Sequence, residues 1–123
     1  FCSDIVMYRY PDVLLFDAEI CCEENDLDGA LASLNQVAQR AYGEEDYYKT
    51  ASKEDILDDI LTERLKEFCG EGKIWWDYIR MGVVFDRVAS LEGKENNKNI
   101  LLWPVAQTAL NLNDNLEQTE IEY

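Results

Sequence analysis

The chain has 123 residues, is 47% hydrophobic and 11% aromatic, and carries 26 acidic against 11 basic side chains, a formal charge of −15. This is the size and composition of one folded domain built on a single core, and its charge repels phosphate backbones and anionic lipid, which argues against nucleic-acid binding. Histidine is absent, which removes Ser-His-Asp and Cys-His catalysis and the imidazole zinc sites together.

Cys2, Cys21, Cys22 and Cys69 show no C-x-x-C spacing, so neither a zinc ribbon nor a redox motif is written here. Buried free thiols are expected; outside the cytoplasm, one bridge from Cys2 or Cys22 to Cys69 is the alternative. No apolar run is long enough to span a membrane. The chain opens at Phe1 in mid-pattern and reads as the carboxy-terminal piece of something longer.

Phe1 to Met7 is apolar with weak alternation, a strand or a loop. Pro11 then opens a helix to about Glu24, since its missing N–H would have no partner in the first turn, with Asp12 at the positive end of the dipole. Val13, Leu14, Leu15, Phe16, Ala18, Ile20, Cys21 and Cys22 cover most of its circumference, which predicts a central helix. Glu24 to Gly29 is a polar loop, with Asp28 as the expected N-cap of the next helix. There, Ala30, Leu31, Leu34, Val37, Ala38 and Ala41 recur at helical spacing, and Gly43 supplies the stop. Two helices joined so tightly form an αα-hairpin, the unit of tetratricopeptide-like arrays.

Glu44 to Ala51 is an acidic, tyrosine-bearing connection. Ser52 with Asp55 reads as a capping-box-like start. Ile56, Leu57, Ile60, Leu61, Leu65 and Phe68 form the apolar stripe of the third helix. Gly70 and Gly72 break it, and a short fourth helix from Lys73 to Met81 carries Trp75 and Trp76, one of them expected deep in the core. Leu91 to Asn99 reads as a surface loop, Ile100 to Val105 as a short extended element, and the tail to Tyr123 as irregular, wrapping chain. The fold expected is all-α and a single domain.

Charges crowd the apolar stretch around the double tryptophan: Glu63, Arg64, Glu67, Glu71, Asp77 and Arg80. Beside buried aromatics they are tolerable only if paired, which predicts an ion-pair lattice joining two helices across the glycine break. Glu19, on a mostly apolar helix, calls for Arg9 or Arg40 as its partner. Two sharper chemistries are weighed and set aside. Glu24-Asn25-Asp26-Leu27-Asp28-Gly29 opens like a calcium loop, but its twelfth place is Asn35, not a bidentate glutamate. A glycosidase pair would need two carboxylates at a fixed separation across a cleft, and nothing in the spacing fixes one. No metal, no cofactor and no catalytic residue is expected. Tyr47, Tyr48 and Trp103 are the candidates to stack on a sugar ring; the plainer reading places Trp103 in the core and the tyrosines over the hairpin.

These same residues carry a resemblance. Glu63-Arg64, Glu67, Glu71-Gly72-Lys73, Trp76-Asp77 and Arg80 resemble the "ER…E…EG-R-W-x-D-x-x-R" signature of the SusD/RagB family, with Ile74 where that family usually has an arginine. Arg9, Asp12 and Ala18-Glu19 are similar to its "R-x-x-D…AE" motif, ALASLNQVAQRAYG to its helical-hairpin segment, and LLWPVAQTALNLNDNLEQ to its closing segment. The resemblance runs from Tyr8 to Gln118. It implies the carboxy-terminal portion of a surface lipoprotein of Bacteroidetes on a tetratricopeptide-like scaffold. Such a protein captures glycans or other oligomeric nutrients at the outer membrane for a SusC-like, TonB-dependent transporter, held there by a lipid anchor outside this piece. It also implies that this piece is mainly scaffold. A different class of reading is a free-standing acidic helical adaptor that binds a partner helix or peptide.

Overall fold

The computed structural model describes residues 6–120 and divides the chain into two compact units, Phe1–Asp77 and Tyr78–Tyr123. All regular structure among the described residues is helical. Phe1 to Ile5, most of the stretch read as a strand or loop, lies outside the described residues, as does Cys2.

In the first unit, α1 (Tyr10–Glu23) and α2 (Leu27–Tyr42) form a hairpin, and α3 (Lys53–Glu67) packs on both. Asp12 closes the first turn of α1 by accepting from the Arg9 N–H at 3.1 Å. Leu15, Ala18 and Cys22 form the buried stripe of α1. Val13 and Ile20, at spacing i and i+7, are 59% and 56% exposed, so α1 is not buried all round. Small residues set the hairpin contact: Ala18 on α1 and Ala30 and Ala38 on α2 are wholly buried and let the two backbones approach.

The N-cap of α2 is Asp26, not Asp28: its Oδ1 accepts from the Gly29 N–H at 3.0 Å. The cap also accounts for Gly29, since a Cβ there would sit 2.3 Å from the Asp26 carboxylate. The acids and glycine that imitate a calcium loop are therefore a helix start, and no metal-holding group is found among the described residues. Gly43 ends α2 in the left-handed conformation at φ 77°.

Ser52 caps α3 by accepting from the Asp55 N–H at 3.1 Å, and the Asp55 carboxylate accepts from the Ser52 hydroxyl rather than from its backbone. The buried face of α3 is Ile56, Ile60, Leu61, Glu63 and Arg64, continued by Phe68 at its end. Leu65, expected in that stripe, is 46% exposed; two charged residues occupy the core-facing positions in its place. Gly70 and Gly72, both at positive φ, turn the chain into α4 (Ile74–Arg80). Neither tryptophan of α4 is in the core: Trp75 is half-buried and Trp76 is exposed.

The second unit contains α5 (Val84–Arg87), two 3-10 turns at Ala89–Leu91 and Lys98–Leu101, and α6 (Gln107–Leu112). Three expectations need correction here. The element expected to be extended from Ile100 begins inside a 3-10 turn, and the tail contains a helical turn. Pro104 confines extended backbone to the residues around it. The tail is tied back by the Gln118 amide, which accepts from Val105 N–H at 2.8 Å and donates to Val105 C=O at 3.0 Å. Val84 and Leu91 are the buried apolar residues of this unit, and Trp103, expected in the core, is 81% exposed.

Replacing Asp26 by Ala should cost about 1 kcal/mol, the usual loss of an N-cap, whereas Asp28→Ala should stay within about 0.5 kcal/mol. Urea unfolding of the two variants checks the order, and equal losses would contradict the assignment of the cap.

Candidate functional site

Glu63, Arg64 and Asp77 of the α3–α4 stretch turn inward. Arg64 is 2% exposed, and its Nε donates to Asp77 Oδ2 at 2.6 Å. Its guanidinium lies 4.5 Å from the ring centroid of Phe16 and 4.9 Å from that of Phe68, and its Nη2 is 3.6 Å from Asp12 Oδ1. An arginine cannot shed its charge by losing a proton, so a buried one must be surrounded in this way. Asp12 is 1% exposed. Its Oδ2 accepts from the Arg9 N–H and, at 2.5 Å, from Lys73 Nζ.

A second tier lies nearer solvent. Glu67 accepts from the guanidinium groups of both Arg9 and Arg40, and Arg9 donates as well to the Glu67 carbonyl in the last turn of α3. A cation there also opposes the negative end of the helix dipole. Glu71 accepts from Arg9 at 2.7 Å and lies 3.3 Å from Lys73; the Arg9 hydrogen bond holds its carboxyl below the usual carboxylate range. The ring of Phe68, 2% exposed, has Arg9, Arg64 and Lys73 each within 5 Å of its centroid. Four carboxylates (Asp12, Glu67, Glu71, Asp77) thus face four cations (Arg9, Arg40, Arg64, Lys73).

Glu63, expected in an ion pair, belongs elsewhere. It is 1% exposed, and its Oε2 accepts from the hydroxyls of Tyr42 at 2.9 Å and Tyr48 at 2.7 Å. Burial first, and then the Glu63 hydrogen bond, pushes the Tyr48 phenol well above its ordinary range, and Tyr42 moves the same way. Arg9 and Arg40, the partners expected for Glu19, are committed to Glu67; Glu19 is half-buried on α1. Arg80 is the exposed last residue of α4. Sequence reasoning missed Asp12 and Lys73 as members of the lattice and Tyr42 as a partner of Glu63. Asp12 sits 61 residues from Lys73, and only its place in the "R-x-x-D" motif marks it.

The aromatic candidates fare unequally. Tyr48 is 8% exposed, and its backbone is clamped by Asn35, whose Oδ1 accepts from Tyr48 N–H at 2.8 Å and whose Nδ2 donates to Tyr48 C=O at 2.9 Å. Little of Tyr48 is left open for a sugar to stack on. Tyr47 is exposed, though stacked on Tyr42 at 4.3 Å and edge-on to Tyr48 at 4.9 Å. Trp103 lies in the other unit. Beside Tyr48 runs a groove of about 450 Å³, lined by Leu31, Gln36 and Gln39 of α2 and by Glu45, Asp46 and Lys49 of the following loop. Of the thiols, Cys22 is buried and Cys21 half-buried, whereas Cys69 is exposed, contrary to expectation; all three are free.

The sequence profile of the SusD family matches residues 3–123. The chain belongs to the SusD family. Among curated SusD relatives, the SusD-like protein P38 of Formosa agariphila is 27% identical over 94% of this chain, which covers 24% of that protein. Among solved structures, a SusD superfamily protein from Bacteroides fragilis is 33% identical and superposes with a TM-score of 0.74 over 96% of this chain and 28% of its own. The chain therefore spans about a quarter of the length of the relatives it matches.

Arg64→Met should take from the buried Asp77 its hydrogen bond to Arg64 and from the buried Asp12 a neighbouring cation, and cost about 3–5 kcal/mol, whereas Arg40→Ala, removing a solvent-facing partner, should cost under about 1 kcal/mol. Urea unfolding separates the two, and similar losses would contradict the burial hierarchy.

Alkaline pH tests the tyrosine–glutamate cluster. The unfolded chain releases its phenolic protons near pH 10, while the fold holds Tyr48 neutral above that. The Tyr48 contribution is then complete below pH 10 and is lost as pH rises past it. Wild type should lose stability between pH 9 and 11 (a window of about one unit either side of an ordinary phenol) more steeply than Tyr48→Phe; equal slopes would contradict the assignment.

Proposed function

We propose that this chain is the carboxy-terminal portion of a glycan- or nutrient-capturing protein of a SusC/SusD-type outer-membrane uptake system, and that its own part is mainly scaffold. The observation that carries this reading is the inward turn of the motif's charges. Arg64 and Asp12 in the interior, Glu67 and Arg9 nearer the surface, are spent on one another across α1, α3 and α4. Glu63 is held by two tyrosines, so no carboxylate of the motif is poised across an open cleft as a glycosidase would need. The protein captures its ligand without breaking a bond and passes it to a TonB-dependent transporter barrel. It is held at the membrane by a lipid anchor upstream; no helix among the described residues is long and apolar enough to cross a bilayer.

Within this piece, ligand contact would fall to Tyr47 or Trp103, the exposed members of the aromatic candidates.

Glycan-array screening and calorimetric titration of the longer parent, beside this chain alone, test the proposal. The parent should bind an oligosaccharide and this chain should show binding at least about a hundredfold weaker, equivalent to 2.7 kcal/mol or more. Binding by this chain at the parent's affinity would place the site here and overturn the scaffold reading.

A further inference from the structure

Two atoms in the interior of the lattice have no hydrogen-bond partner among the described residues: Asp12 Oδ1 and Arg64 Nη1. One accepts and the other donates, on side chains 1% and 2% exposed. Atoms so deeply buried are nearly always paired, with protein or with an internal water. Each group is held through another of its atoms. The Asp12 carboxylate is pinned through Oδ2 by Lys73 and by the Arg9 N–H. The Arg64 guanidinium is pinned through Nε by Asp77 and has the rings of Phe16 and Phe68 within 5 Å. The closest approach recorded between the two charged groups, Nη2 to Oδ1 at 3.6 Å, is too long for a hydrogen bond.

We infer that one internal water molecule is a built part of this lattice, donating to Asp12 Oδ1 and accepting from Arg64 Nη1. The polarity of the two atoms selects the ligand class. An anion would meet the Asp12 carboxylate, and a cation would meet Arg64 with Lys73 close by. A small neutral species able to donate and accept at once satisfies both atoms, and water is the one always available. The phenylalanine rings flanking the guanidinium make an apolar wall that slows its exchange with bulk solvent. The charge lattice of this chain is, on this reading, a hydrated network and not a dry set of ion pairs.

A crystal structure of the chain at about 1.2 Å, where ordered waters and donor geometry are read directly, tests this. The expected result is one fully occupied water within about 3.2 Å of both atoms. Water-relaxation dispersion in solution supplies a second count: wild type should hold one more long-lived internal water than Arg64→Met. A direct Nη1–Oδ1 hydrogen bond, another side chain filling the position, or an empty gap between the two atoms would overturn the inference. If Arg64→Met does not fold, the crystallographic result on wild type decides alone.

Discussion

A guanidinium group almost entirely withdrawn from water governs the rest of the first unit. An arginine keeps its charge where other buried groups would neutralise, and an isolated buried charge is among the costliest things a fold can contain. The position of Arg64 on the core-facing side of α3, one residue from Glu63 and four from Ile60, therefore obliges two other helices and the end of its own to come to it. Asp77 approaches from α4, Asp12 from the first turn of α1, and the rings of Phe16 and Phe68 from α1 and the end of α3. Gly70 and Gly72 supply the reversal that brings Asp77 back toward α3. The price is a rigid junction that tolerates few substitutions.

Such a junction accounts for the many charges that this stretch holds beside aromatic rings. A buried ion pair contributes little net stability compared with a well-packed apolar equivalent, but its geometry is unforgiving. It fixes the register of α1, α3 and α4, where leucines in the same places would accept several packings. The Tyr42–Tyr48–Glu63 cluster does a similar job one residue earlier on α3, tying down the loop after α2, while Asn35 clamps the Tyr48 backbone. Under the scaffold role proposed above, that rigidity would itself be the contribution.

Much of this was legible in the residues, for reasons that differ by element. The all-α class and the α1–α2 hairpin follow from periodicity, Gly43 and the small alanines, because local patterning and local stops decide them. Membership of the SusD family follows from a long spaced motif. What could not be read was which side of a helix the core would choose. On α3 both Leu65 and Arg64 were available, and the core took Arg64 because Asp12 and Asp77, distant in sequence, made it affordable. The same blindness hides Lys73 as a partner of Asp12 and misplaces the cap of α2 by two residues, since Asp26 and Asp28 differ only in backbone position. Tryptophan misled in the opposite direction. Trp76 and Trp103 are large and apolar, yet both are exposed, because size alone does not say what lies next to a residue.

The central claim is that the charges of the motif act on one another as internal fasteners. A double-mutant cycle on Arg64 and Asp77 measures this directly, with urea unfolding of wild type, Arg64→Met, Asp77→Asn and the pair. The account predicts that the double variant loses markedly less than the sum of the single losses, with a coupling of about 2 kcal/mol or more, near the upper end for residues in direct contact. Strict additivity, with each substitution costing the same whether or not the other residue is present, would show that the two side chains do not sustain each other and would contradict it.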